Sequence, residues 1–237
     1  MRRVGVLGGM GPEATILLMQ KVLASVAARD DADHIPLIVD QNPQVPSRIR
    51  HLIEGTGEDP GPVLADMARR LVAGGAEALA IPCNTAHHYA PAIRASVSVP
   101  LLDMVEASAA HAATLVGKGG LVGVLASPAV RSIGLFEVPL ARHGLTAIYA
   151  EDETAMLAAI RRIKADGPNP ASCATLRAAS DALLERGANV QLIACTEFSL
   201  IASSVSVQAQ AFDTLDILAG VIKDFALQRG AQVRNTM

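Results

Sequence analysis

The chain has 237 residues, 51% of them apolar and 18% charged, with a formal net charge of −3. That balance predicts an ordered α/β-type protein of one large or two small domains and excludes a disordered chain. Charges are interspersed and aromatics few, with two Tyr, four Phe and no Trp; neither a nucleic-acid footprint nor an anionic-membrane surface is present.

The N-terminus, "MRRVGVLGGMGPEAT", reaches glycine too early for a signal-peptide core, and no apolar run approaches bilayer length, so the expected location is cytoplasmic. In chain order, short apolar runs at Val4–Leu7, Pro36–Val39, Ala78–Ile81, Leu121–Leu125, Ala147–Tyr149 and Val190–Ala194 read as buried strands. Between them, 13–28, 61–73, 103–116, 153–164, 171–186 and 213–228 carry helical spacing. The alternation predicts a parallel-sheet α/β protein. One turn-rich stretch, 40–62, holds enough Pro and Gly to forbid regular structure over much of its length.

The chain also repeats itself. "VGVLGG" at 4–9 returns as "VGVLAS" at 122–127, and "LVAGGAEALAIPCNT" at 71–85 returns as "LLERGANVQLIACTE" at 183–197. A third echo pairs "LLDMVE" (101–106) with "AFDTLD" (211–216), placing Asp103 and Asp213 as helix N-caps. The repeats predict two related α/β halves, each with a cysteine, Cys83 or Cys195, at the carboxyl end of a strand.

Ligands of open α/β sheets bind beyond those strand ends, where the next helix presents its N-terminus. A thiol placed there is expected to have a lowered pKa, because the helix dipole favours thiolate. Two such thiols facing one cleft suit inversion of a stereocentre, which needs a base on one face of a carbon and an acid on the other. The third cysteine, Cys173, lies on a helix face without a partner motif and reads as a packing residue. Three cysteines in a reducing compartment argue against a disulfide framework.

Other chemistries fit these residues less well. A zinc site built on Cys83 and His87 at i+4 lacks ligands. The "GMGPEA" loop (9–14) fits a dinucleotide fingerprint with Asp40 as the ribose acid, but the spacing is long and Glu13 occupies the turn where a pyrophosphate would sit. The same loop suits a substrate carboxylate. A duplicated small-molecule binding protein with structural cysteines is a further alternative.

The segments "VGVLGGMGPEAT", "QNPQVPSR", "GAEALAIPCNTAH", "RRIKADG" and "LIACTEF" together resemble the aspartate racemase branch of the aspartate/glutamate racemase superfamily, over nearly the whole chain and in order. The resemblance implies two pseudo-symmetric α/β domains, each a mainly parallel sheet flanked by helices, with the active site in the interdomain cleft. The expected division is 1–103 plus 209–237, carrying Cys83, and 104–208, carrying Cys195. It further implies interconversion of L- and D-aspartate without cofactor or metal, and a homodimer. Cys83 and Cys195 would be the acid/base thiols. Arg48 and Lys164 would bind the substrate's side-chain carboxylate. Met10, Asn84, Thr85 and Thr196 would complete substrate binding, supported by Gly9, Gly11, Asn42, Ser127 and Glu197. Two positions depart from the pattern: Ala194 stands where the family usually has Gly, and "ASPAV" (126–130) replaces a Thr-x-Gly-Thr-like turn.

Overall fold

A computed structural model describes residues 1–228. Two four-stranded parallel sheets form, built in the same order. The first runs β2 (Leu37–Gln41), β1 (Val4–Gly8), β3 (Ala78–Ala80), β4 (Leu101–Leu102). The second runs β6 (Thr146–Tyr149), β5 (Leu121–Leu125), β7 (Val190–Ile193), β8 (Gln210–Asp213). Their central strands are buried on both faces, which is why β1, β3 and β5 read as unbroken apolar runs, while β7 interrupts its run only with Gln191, whose buried amide is bonded to Ser180.

The helices are α1 (Pro12–Ala24), α2 (Arg48–Leu52), α3 (Gly61–Ala73), α4 (Ala90–Ser96), α5 (Met104–Leu115), α6 (Pro128–Ser132), α7 (Glu137–Arg142), α8 (Glu153–Asp166), α9 (Pro170–Glu185), α10 (Thr196–Ser199) and α11 (Thr214–Leu227). They cover both faces of each sheet. α1 and α11 close one face of the first sheet around Val4, Val6, Leu18 and Leu218, while α3 and α4 close the other around Leu7, Leu64, Leu79 and Ile93. α8 and α9 cover the second sheet around Leu125, Ile160 and Leu176, opposite α5 and α7 around Val122, Ala109 and Leu140.

The duplication is visible in packing as well as in order. Gly5 and Gly123 lie at matched points of β1 and β5. A Cβ on Gly5 would meet Ala76 Cβ at 2.9 Å, and one on Gly123 would meet Ala188 Cβ at 3.3 Å, so the same pair of small residues brings helix against strand in each half.

The halves exchange helices. α5 follows β4 of the first sheet yet buries Val105, Ala109 and Ala112 on the second, and α11 follows β8 of the second sheet yet buries Leu215, Leu218 and Ile222 on the first. Both crossings start at a capping aspartate: Asp103 Oδ1 accepts from the backbone of Val105 and Glu106, and Asp213 Oδ1 from Leu215. β8 thus stays with the second sheet, whereas the division drawn from sequence begins the return at residue 209; the return falls at Asp213, where chain leaves the sheet. Residues 229–237 lie outside the described residues.

The 40–62 stretch is more ordered than its Pro and Gly content suggests. It contains α2, whose first turn is capped by Ser47 Oγ accepting from Arg50 N at 3.3 Å. Among the described residues, no helix is long and apolar enough to cross a membrane.

Candidate active site

Every parallel strand delivers its carboxyl end to the same side, and the two halves face each other across a cleft of about 710 Å³. The cleft is lined by the glycine loop after β1, by α2 and the chain before it, by α8, and by both cysteine motifs. Cys83 and Cys195 are 8% and 7% exposed, so each thiol is largely withdrawn from water yet open to the cleft. Cys173 lies on α9 against the core of the second half, as a packing residue would.

The environment of Cys195 differs from the one read from sequence. Its S–H donates to Glu197 Oε2 at 3.0 Å, and Glu197 Oε1 is ion-paired with Lys164 Nζ. Burial and the Glu197 carboxylate push the Cys195 thiol well above its ordinary range; Lys164 opposes them without prevailing. The expected lowering by a helix dipole does not hold here, because α10 has only four residues and few peptide dipoles align. Lys164 is raised: burial works against its charge, but the Glu197 carboxylate outweighs it.

Arg48 braces the first half of the cleft. Its Nη1 donates to Pro46 O at 3.1 Å and its Nη2 to Met10 O at 3.3 Å, tying α2 to the glycine loop. Its buried Nε has no hydrogen-bond partner among the described residues. Gly11 sits where the two halves meet: a Cβ there would lie 3.6 Å from Lys164 Nζ and 3.9 Å from Glu197 Oε1. Thr85 and Ser127 also meet between halves, Oγ1 to Oγ at 3.4 Å. The "ASPAV" departure therefore keeps a hydroxyl in the cleft. Ala194, the other departure, is fully buried and its N–H closes onto Leu125 O at 2.8 Å.

Of the residues named from sequence, Gly9, Met10, Gly11, Arg48, Cys83, Thr85, Ser127, Lys164, Cys195, Thr196 and Glu197 line the cleft. Asn84 and Asn42 do not. The Asn84 amide is buried and donates to Thr214 Oγ1 at 3.0 Å, joining the halves behind the site. Asn42 accepts from Gln44 N at 3.0 Å, and its backbone abuts Gly9. His87 is withdrawn too: its ring bridges Cys83 O and Met104 N, so neither nitrogen remains for a metal. Asp40 is held by Arg70 at 2.7 Å, away from a ribose-binding position.

Sequence reading missed Arg50, Glu54 and Arg161 in the lining. Arg161 and Glu54 form an ion pair over 107 residues of chain, which no local pattern announces.

The fold is one of two α/β halves that exchange helices and bring a thiol from each to one cleft. The chain belongs to the Asp/Glu/hydantoin racemase family, whose model matches residues 7–222. It is 32% identical over 107 residues to the broad specificity amino-acid racemase RacX of Bacillus subtilis, covering 44% of this chain and 46% of that protein. It is 29% identical over 185 residues to the glutamate racemase of Deinococcus radiodurans, covering 75% of this chain and 62% of that one. The matches thus span less than two thirds of both relatives. Among solved structures, the Picrophilus torridus aspartate racemase has the same fold, with a TM-score of 0.85, 23% identity, and 95% and 94% of the two chains covered.

Proposed function

We propose that this protein is a cofactor-independent amino-acid racemase, with aspartate as its substrate, working by proton transfer between two cysteines. The observation that carries the reading is the pair of cleft-facing thiols, Cys83 and Cys195, supplied by equivalent strands of two related halves. In this mechanism one cysteine, as thiolate, removes the α-proton; the other, as thiol, protonates the opposite face of the carbanion. Arg48 and Lys164 hold the side-chain carboxylate, while the hydroxyls of Thr85, Ser127 and Thr196 are positioned to bind the polar groups on the α-carbon. The largely buried site strengthens each of these charge interactions.

A second reading is favoured by one feature: Lys164 is already paired with Glu197, which weakens its claim on a substrate anion. On that reading the substrate is a neutral amino acid, in line with the broad specificity named for the Bacillus subtilis relative; glutamate, anionic like aspartate, is an alternative that the pairing does not discriminate. Single enantiomers of aspartate, glutamate and alanine in heavy water separate the readings, with α-deuteration followed by NMR and inversion by chiral chromatography. Exchange and inversion of aspartate ahead of the others supports the first. A binding protein would exchange nothing.

The same proposal extends to a cytoplasmic homodimer. Ile16, Met19 and Leu23 on α1 are exposed and supply an apolar face suited to a second copy; sedimentation of wild type against Ile16→Glu tests it.

A further inference from the structure

The offset of 112 residues that pairs Cys83 with Cys195 also pairs Thr85 with Glu197. Each follows its cysteine by two positions, but one is a hydroxyl and the other a carboxylate. Thr85 turns to Ser127, whereas Glu197 Oε2 takes the hydrogen of Cys195 at 3.0 Å. At that separation in a buried site, a thiolate and a carboxylate would repel strongly, so the contact needs the proton between them.

We infer that Glu197 is a positioning residue that holds Cys195 in its thiol form, so that the resting enzyme is poised in one direction, with Cys83 as base and Cys195 as acid. This inference rests on the two-cysteine reading proposed above. The charged groups lining the cleft with this contact are Lys164 and Arg161 from α8, Arg48 and Arg50 from α2, Glu54 just after α2, and Glu13 from α1. Of these, Lys164 is paired with Glu197 itself and Arg161 with Glu54. Burial and Glu197 together outweigh Lys164 in setting the state of the thiol.

The protons balance. In one turnover Cys83 takes the α-proton and Cys195 gives its own to the opposite face, leaving Cys83 as thiol and Cys195 as thiolate against Glu197. That last pairing is the unfavourable one. Cys195 then regains a proton from water and Cys83 releases one, restoring the resting form. The enantiomer whose α-hydrogen faces Cys195 meets a scarce form of the enzyme. Because racemisation has an equilibrium constant of one, kcat/KM stays equal for the two enantiomers, and the bias is read on the thiols themselves.

The test is the pH profile of alkylation by iodoacetamide, with Cys83 and Cys195 each followed on its own peptide by mass spectrometry, in wild type, Glu197→Gln and Glu197→Thr. The last variant imports the residue found in the other repeat. Near neutral pH Cys83 is expected to react ahead of Cys195 by on the order of tenfold, and both variants to accelerate Cys195 by on the order of tenfold while Cys83 stays within about twofold. Equal or faster reaction of Cys195 in wild type, or an unchanged Cys195 profile in both variants, overturns the inference. α-Deuterium exchange is measured on the same preparations. Its absence in wild type with every amino acid removes the racemase reading, whatever the alkylation shows.

Discussion

Arg161 and Glu54 meet across the mouth of the cleft, Nη2 to Oε1 at 2.9 Å, one carried by α8 of the second half and the other by the chain just after α2 of the first. Both side chains are substantially exposed, so the pair stabilises the fold by no more than about 1 kcal/mol. Glu54→Gln is expected to move the melting temperature by less than about 4 °C. It frees a cation beside the site, so KM for an acidic amino acid should fall, and the gain should fade as salt rises. Steady-state kinetics at two ionic strengths, with calorimetry, check both halves of this expectation.

Gly9 and Gly11 bracket Met10 in the glycine loop but differ in what they tolerate. Gly9 has φ +91°, and a Cβ there would lie 2.4 Å from the Asn42 carbonyl carbon; Gly11 has φ −96° and 3.6 Å of clearance to Lys164 Nζ. Gly9→Ala should therefore cost at least about 2 kcal/mol in urea unfolding. Gly11→Ala should leave stability nearly intact, since its Cβ would make only ordinary van der Waals contact with Lys164 and Glu197. Equal stabilities for the two variants would contradict this account of the loop.

His87 supports Cys83 from behind. Met104 N–H can only donate, so Nε2 accepts at 3.3 Å, and Nδ1–H donates to Cys83 O at 3.0 Å; the ring is neutral. Burial lowers its pKa below the ordinary value, although the Asp103 carboxylate pulls the other way. The unfolded chain then binds the extra proton more readily, so His87 contributes stability above the unfolded pKa of about 6.5 that is lost as pH falls towards the lower folded pKa. His87→Leu, which can neither donate nor accept, should be less stable than wild type at neutral pH by about 1–3 kcal/mol, through the orphaned Met104 N–H and Cys83 carbonyl. The gap should narrow in acid. Denaturant unfolding across that range is the check.

Much of this architecture was legible in the chain. Strands buried on both faces leave apolar runs, and the repeats at 4–9/122–127 and 71–85/183–197 marked both the duplication and the two thiols. β4 and β8 escaped because they are two and four residues long and partly exposed, leaving no apolar run to read. Their capping aspartates were nonetheless visible in the third echo. The state of Cys195 was misjudged for a physical reason: a helix start suggested a lowered pKa, but the carboxylate two residues away and burial dominate a four-residue helix. Asn84 stands beside Cys83 in sequence, yet its amide nitrogen donates to Thr214, a partner 130 residues away.

Arg48 and Lys164 carry the expectation of an acidic substrate. Neutralising either, as Arg48→Met or Lys164→Met, should cost aspartate on the order of tenfold or more in kcat/KM and cost alanine far less, because a desolvated carboxylate would be left unpaired. Arg48→Lys should fare poorly as well. The guanidinium holds Pro46 O and Met10 O at once, and a single ammonium cannot reproduce that planar fork. Equal losses on aspartate and alanine would remove the charge clamp and favour the broader-substrate reading.

The two-thiol mechanism is tested most directly by Cys83→Ala and Cys195→Ala, assayed in heavy water with each enantiomer of aspartate. Every inversion needs a base and an acid on opposite faces, so both variants should lose racemisation. Any residual α-deuteration should appear without inversion and with opposite enantiomer preference in the two proteins, since each retains one thiol on one face. Serine at either position should restore little, because a hydroxyl is a far weaker proton acceptor than a thiolate near neutral pH. Racemisation by either alanine variant at close to the wild-type rate would contradict the mechanism and leave the paired cysteines as packing residues.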